Sequence, residues 1–538
     1  MRVQRSVWLA LLAALCPALV CLGGILWPQQ LGVHRTKTLL LVAEYLLALP
    51  FLVWLGSRER RTGRGSNELA PLSARLQPLF LLAYVSITIP LAAIANLGIF
   101  YADEGAYLFE ARCLRFGSLF MTLPATPWDG DTTLFSNGVL YLGRLSGKYP
   151  FGWPAVLAAG TLTNLEWLIN PLLGLLLLYL VRLIAVQVLP PGQCVYASLF
   201  FLLSPLFTLN CIGFMAHVLS GILVAGATLC YLRFSGIRPN KWALGMLVCL
   251  SACATVRPFT AACAGLVLCV AMVWNLRGNP RGLILFLAAG AVLAAAAGAT
   301  QVYANFQLTG NYFRTPYGYE GSGMSFKARD IVASILLYTP ERLASSCITS
   351  FPYVFVLAAY AVWRRPRESR LLAAIFGSLV AGHLLAAGNE SGSFVGERYY
   401  LEGFFAIVIL GAAGWAQLSQ DLRWQPDWQR GLLAALCVLA LAHTAVCWYW
   451  NLELRSHMER VRELAANPPF RRGAVFLAYI PRRYNLNRPD QAGVLYLPDP
   501  GPLKRQEAAR RMGFENWATL QYDEREKVPR WVDRHTGP

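Results

Sequence analysis

The stretch Ile99-Phe100-Tyr101-Ala102-Asp103-Glu104-Gly105-Ala106-Tyr107 follows directly on the apolar run of residues 78–99. A run of about 20 apolar residues is what an α-helix needs to cross a bilayer. Two adjacent carboxylates at its end are costly in hydrocarbon, so they place the membrane surface at residue 103. Asp103 also suits the N-cap of a helix from Glu104 to Arg115 that Gly117 ends.

Working outward, the same alternation recurs along the chain. It has 538 residues, 56% hydrophobic and 14% charged, whereas soluble domains carry roughly 25% charged residues. About thirteen segments reach spanning length: residues 6–26, 38–56, 78–99, 169–188, 194–211, 214–232, 241–255, 258–275, 282–303, 346–363, 370–388, 400–418 and 431–450. Met1 to Leu26 carries Arg2 and Arg5 before a long apolar run with no small-residue cleavage site, so it reads as a first span rather than a signal peptide.

The formal net charge is +18, and its distribution assigns it to topology rather than to nucleic-acid binding. Basic residues fill alternate short loops: Arg58, Arg60, Arg61 and Arg64; Arg233, Arg238 and Lys241; Arg277 and Arg281; Arg364, Arg365, Arg367 and Arg370; Arg423 and Arg430. That is the positive-inside pattern. The remaining loops carry mixed charge and aromatics and fall outside. The expectation is an all-α polytopic membrane protein of about 13 transmembrane helices, with a small extracytoplasmic α/β domain at the C-terminus. Residues 1–77 hold two N-terminal spans and 78–450 the main membrane module, with outer loops 100–168 and 303–345. The tail 451–538 has strand-like runs at 474–479 and 494–497 and a helix-like 503–512.

The polar residues with chemical potential fall on the outer side. Asp103 and Glu104 are placed to meet both a lipid-borne and a soluble partner, and one carboxylate can act as general base toward a hydroxyl. In Gly147-Lys148-Tyr149-Pro150-Phe151-Gly152-Trp153-Pro154, Lys148 can pair with a phosphate, while Tyr149 and Trp153 suit a membrane interface. Arg257-Pro258 separates two spans at their outer ends; it serves either as a turn anchor or as a guanidinium matched to a phosphate fork. Gly396-Glu397-Arg398-Tyr399-Tyr400-Leu401-Glu402 leads into a span. There Arg398 suits an anionic headgroup, and Glu402, inside apolar sequence, faces a cavity or a partner.

Other features read as structural. Asn305 to Asn311 and Thr315 to Tyr319 form a turn- and aromatic-rich loop, and Glu44 and His217 are single polar residues at packing or boundary positions. Asn389-Glu390-Ser391 matches an N-glycosylation acceptor, a pattern that arises easily by chance. The thirteen cysteines, among them Cys249, Cys253, Cys263 and Cys269, have no metal-ligand spacing and read as small buried hydrophobes.

Taken in order, the acidic pair after an early span, Lys-Tyr-Pro-x-Gly-Trp-Pro, Arg-Pro between spans, Asn-x-x-Leu-Thr-Gly and Gly-Glu-Arg-Tyr-Tyr resemble the membrane GT-C glycosyltransferases. The branch is that of protein O-mannosyltransferases and bacterial aminoarabinose transferases, and the likeness covers residues 78–420. Two departures stand out: two spans precede the one before the acidic loop, and Phe151 replaces a second proline.

The resemblance implies inverting transfer of a sugar from a polyprenyl-phosphate donor to a hydroxyl of a lipid, glycan or protein acceptor. The setting implied is the outer face of a bacterial inner membrane. It makes Asp103 the catalytic acid position with Glu104 its neighbour, and sets Lys148, Arg257 and Arg398 near the donor phosphate. Tyr149, Trp153, Glu397, Tyr399 and Glu402 then line the substrate cavity, and a divalent metal is a further candidate for stabilising the leaving phosphate. The rival readings are a flippase or transporter of lipid-linked sugars, and a polymerase or ligase of surface glycans. The transporter class uses paired repeats with mid-membrane polar sites, and no such repeat is visible here.

Overall fold

A computed structural model of the chain describes residues 76–95, 102–123, 138–141, 143–235, 240–319, 323–324, 327–384, 386–387, 398–424, 426–478, 486–489, 493–523 and 528–536. The expected spans 6–26 and 38–56, Glu44, Glu397 and the 389–391 acceptor pattern lie outside the described residues.

The elements begin with α1 (Gln77–Ala95), α2 (Ala102–Arg115), the strands β1 (Met121–Thr122), β2 (Gly138–Tyr141) and β3 (Arg144–Gly147), and α3 (Gly152–Thr161). Then come α4 (Glu166–Val188), α5 (Cys194–Leu202), α6 (Pro205–Cys211), α7 (His217–Arg233), α8 (Lys241–Val256), α9 (Pro258–Leu276) and α10 (Pro280–Thr309). Next are β4 (Gly323–Met324), α11 (Ala328–Ala333), α12 (Thr339–Ile348), α13 (Val354–Arg364), α14 (Pro366–His383), β5 (Ala386–Ala387), α15 (Leu401–Asp421) and α16 (Pro426–Ala466). The last are β6 (Gly473–Ala478), β7 (Val494–Pro498), α17 (Arg505–Arg511), β8 (Trp517–Asp523) and β9 (Val528–His535).

Every apolar segment expected within the described residues contains helix, but fewer are full spans. Six described helices are long and apolar enough to cross a bilayer, and a seventh if α5 and α6 count as one. The segment 194–211, expected as one helix, is bent by 61°. Pro205 cannot donate a backbone hydrogen bond and pushes Ser204 out of the helical region, to ψ 117°. Segment 346–363 is likewise interrupted, at Tyr353, whose backbone is left-handed (φ 62°). Helices His217–Arg233, Lys241–Val256, Val354–Arg364 and Ser369–His383 are apolar but shorter than a full crossing.

Helix α15 is the centre of the bundle, with 83% of its apolar window buried, against 11% for α10 at the rim. It packs against α5, α7, α13 and α14. Helix α2 is amphipathic and lies outside the apolar spans. Asp103 and Glu104 in its first turn and Arg112 and Arg115 in its last complement the helix dipole, and Gly117 (φ 74°) supplies the left-handed stop. The helix starts at Ala102, so Asp103 occupies the first turn rather than the cap expected for it.

Two cores grip α2 from opposite sides. Ala106, Tyr107 and Ala111 join Tyr149, Trp153, Leu157 and Phe214 on the bundle side. Phe109 and Cys113 join Met458 and Val461 of α16 and the strand residues Phe476, Leu495 and Leu497 on the other. Those strands belong to a mixed sheet of order β7-β6-β8-β9, with β6 parallel to both neighbours and β9 antiparallel to β8. A small antiparallel sheet, β1-β3-β2, leads into the Lys148 turn.

Candidate active site

Helix alternation brings one set of helix ends together. The start of α7, the α8–α9 junction, the ends of α10 and α14 and the start of α15 meet near α2, and the charged side chains expected from sequence gather there. Arg398 Nη2 donates to Asp103 Oδ2 at 2.6 Å. The Arg398 guanidinium lies over the Tyr399 ring at 5.3 Å, and Arg257 lies over the same ring at 5.1 Å. Arg257 Nε forms an ion pair with Glu402 Oε1 at 2.6 Å, off the line of a hydrogen bond.

Local sequence explains how each is held. Pro258 opens α9, so the preceding Arg257 is extended (φ −145°) and its side chain leaves the helix axis at the junction. Glu402 is fully buried in the first turn of α15. His217 Nδ1 lies 2.9 Å from its Oε1, and the Thr260 hydroxyl donates to its Oε2. A buried carboxylate with three such partners is satisfied. The sequence reading placed Glu402 on a substrate cavity; the structure places it behind Arg257.

The aromatic residues form a wall beside these charges. Tyr107 stacks on Tyr149 with centroids 4.2 Å apart, and Tyr317 meets Tyr149 edge-on at 5.7 Å. The Lys148 ammonium lies 5.7 Å from the Tyr149 ring centre and 5.1 Å from that of Tyr317. Burial pushes the Tyr149 and Tyr317 phenols well above their ordinary value, with Asp103 adding in the same direction, so both stay neutral donors. Trp153 is fully buried and donates Nε1 to Phe214 O at 2.8 Å. Tyr149 and Trp153 are therefore interior rather than interfacial: the indole finds its acceptor inside the protein and needs no headgroup.

Glu104 departs most from expectation. It is 1% exposed and accepts two hydrogen bonds from Arg455, at 3.0 and 3.1 Å, and one from the Phe214 N–H at 3.2 Å. Asn170 holds that loop by donating to Gly213 O and Met215 O. A Cβ on Gly213 would collide with the Glu104 carboxylate, so the glycine is what lets the acid in. Glu104 thus fastens α2 to α16, and its neighbour Asp103 points the other way.

Two arginines were missed by the sequence reading. Arg455 follows the last apolar run by only five residues, and an unbroken helix to Ala466 was the available signal. Arg342, on α12, is 2% exposed and donates to His383 O at 3.3 Å. The His383 ring stacks on Tyr399 at 5.0 Å, which brings a further cation to the cluster. Among the described residues no group of three or more His, Cys, Asp or Glu side chains could hold a metal ion.

No family model and no curated protein sequence matches the chain. Its fold does match solved structures. ArnT from Cupriavidus metallidurans bound to undecaprenyl phosphate superposes with a TM-score of 0.53 at 11% identity, over 84% of this chain and 94% of that one. An oligosaccharyltransferase from Archaeoglobus fulgidus, in complex with Zn and sulfate, gives 0.51 at 12% identity, over 82% of this chain and 67% of that one. The chain has a GT-C fold. Within this GT-C fold the Asp103–Arg398 pair joins the amphipathic helix to the central helix of the bundle.

Proposed function

We propose that the protein is an inverting glycosyltransferase that moves a sugar from a polyprenyl-phosphate donor to an acceptor hydroxyl at the outer face of a bacterial inner membrane. The observation that carries this reading is the charge layout. One surface-facing carboxylate, Asp103, is held at 2.6 Å by Arg398 at the edge of a cluster that also holds Arg257, Lys148 and Arg342. Among the described residues these four cations outnumber the two carboxylates they meet, Asp103 and Glu402. Such an excess favours a dianionic or monoanionic headgroup, as a lipid phosphate carries. ArnT, of like fold, has been solved with undecaprenyl phosphate bound.

The reaction follows from these groups. Asp103 takes the proton of the acceptor hydroxyl as its oxygen attacks the anomeric carbon. The bond from that carbon to the phosphate oxygen breaks, and the lipid phosphate leaves as an anion. Arg257, Arg398, Lys148 and Arg342 stabilise the charge that grows on it. Glu402, with His217 and Thr260 behind it, orients Arg257; Glu104 and Arg455 fix the helix that carries Asp103.

Sidedness has its own support. The basic connections between α7 and α8, α9 and α10, α13 and α14, and α15 and α16 fall at the helix ends opposite the cluster, and basic ends face the cytoplasm. The test is a reconstituted vesicle assay with undecaprenyl-phosphate sugars supplied inside or outside. Formation of a glycosidic bond on the face that carries Asp103 is the expected result. Passage of the lipid-linked sugar across the bilayer with no new bond would replace the transferase by a flippase.

A further inference from the structure

Helix α2 carries a third acid that the reaction above does not use. Asp103, Tyr107 and Glu110 stand at i, i+4 and i+7, so they share one helix face. Seven residues of helical rise set Glu110 about 10 Å from Asp103 along the axis. Between them, Tyr149 stacks on Tyr107 and donates its backbone N–H to Glu110 Oε1 at 3.1 Å. Gly147 makes the space: a Cβ there would collide with the Glu110 carboxyl.

Glu110 is 6% exposed, and its Oε2 has no hydrogen-bond partner among the described residues. Across from it on α10, Gln301 donates to Asn305 Oδ1 at 3.1 Å and leaves its own Oε1 buried without a partner among the described residues. Both line one cleft, walled by Tyr149, Pro154, Leu308 and Pro316. Buried polar atoms of native proteins are met by protein, water or ligand, and leaving one unmet is costly. Burial pushes the Glu110 carboxyl well above its ordinary value, against the opposing Tyr149 N–H. In its neutral form the acid offers an O–H donor, and the Gln301 carbonyl offers an acceptor. A hydroxyl satisfies both at once. An ammonium can only donate, and it would call for an ionised Glu110 in a site that disfavours the charge.

We propose that this cleft is a subsite for a neutral sugar hydroxyl, held between Glu110 and Gln301 while the reacting end of the same ligand lies at Asp103. The inference rests on the transferase reading. It is tested on the full-length protein in lipid nanodiscs. The lipid probes are undecaprenyl phosphate, the same lipid phosphate bearing mannose, glucose or arabinose, and its amino-sugar counterparts. Methyl glycosides of the neutral sugars serve as acceptor probes.

If the hydroxyl belongs to the donor, at least one neutral-sugar lipid binds about tenfold more tightly than undecaprenyl phosphate. Glu110→Leu and, independently, Gln301→Leu abolish that margin, whereas Glu110→Gln, whose amide keeps a donor and an acceptor, retains it. If the hydroxyl belongs to the acceptor, the two Leu variants instead raise KM for a methyl glycoside by about tenfold, again with rescue by Glu110→Gln. Unchanged lipid affinities and KM in both Leu variants overturn the subsite. A preference for an amino sugar that Glu110→Gln destroys overturns it too. Wild-type protein that binds undecaprenyl phosphate but ignores every sugar overturns the subsite alone, while protein that binds none of the lipids overturns the transferase reading and the subsite with it.

Discussion

On one side of helix α2, Asp103 meets Arg398 with side chains 15% and 12% exposed; on the other, Glu104 meets Arg455 at 1% and 3%. The two pairs have the same chemistry and adjacent positions, yet their surroundings give them different work. A pair in contact with solvent can exchange its partner for a substrate at modest cost. A fully buried pair cannot, because either charge left alone is strongly destabilising. Adjacent carboxylates are thereby divided into one at the cluster, which the proposed reaction uses, and one for the scaffold, and the division follows from the rotation of about 100° between neighbouring helical residues.

The largest expected effect breaks the comparison on the solvent side. Asp103→Asn should lower turnover by about 10²–10⁴-fold while leaving the thermal unfolding midpoint near that of the wild type. Undiminished transfer in that variant would remove Asp103 from the reaction. On the buried side the expectation inverts. Arg455→Ala should destabilise the fold by about 3–5 kcal/mol, read as loss of detergent-stable protein. The companion Glu104→Met with Arg455→Met should recover much of that loss, because no charge is then stranded. Equal stability of the single and double variants would show that the pair is not the fastener described here.

A smaller effect is expected one layer back from the site. Glu402→Gln keeps the shape but removes the charge paired with Arg257, at a cost of about 1–3 kcal/mol for a buried polar group left without its partner. That cost should appear mainly as a higher KM for the lipid donor, with kcat less changed. A pure kcat effect would place Glu402 at the reacting atoms instead.

The smallest effect is in the sheet. Burial pushes the Asp499 carboxyl up, but hydrogen bonds from Arg505 at 2.6 and 2.8 Å and from the Gly501 N–H outweigh it and leave the acid below its ordinary 3.8. A carboxyl depressed in the folded state contributes stability that is complete above 3.8 and is lost as the pH falls through its folded value. Arg505→Ala should therefore lower stability slightly at neutral pH and flatten its acid dependence, as followed by circular dichroism. An identical acid profile would exclude the pair from any such role.

Much of this was legible in the residues. The apolar runs gave the helices of the bundle, and Gly117 gave the C-terminal end of α2, whose start at Ala102 lies just before the cap expected at Asp103. The alternation of basic and aromatic loops was enough to set Lys148, Arg257 and Arg398 on one side. What escaped has a physical cause in each case. Hydropathy registers contact with lipid, not continuity of helix, so the last span was stopped at residue 450 although the helix continues past Arg455. The bend at Ser204-Pro205 hides in uniformly apolar sequence. Arg342 lies just before a run read as a span, and nothing local shows that it turns back toward His383. That Glu104 is buried against Arg455 while Asp103 meets Arg398 depends on the two cores on either side of α2, which only the fold supplies.

The 41 residues of α16 amount to about 60 Å of rod, roughly twice the thickness of the hydrocarbon layer. The polar extension is accordingly a mast stepped in the bundle, not a module on a tether. Trimming the chain at residue 451 would saw through that mast and strand Glu104 with it, so a shortened version stripped of its polar end should be a broken machine rather than a simpler one.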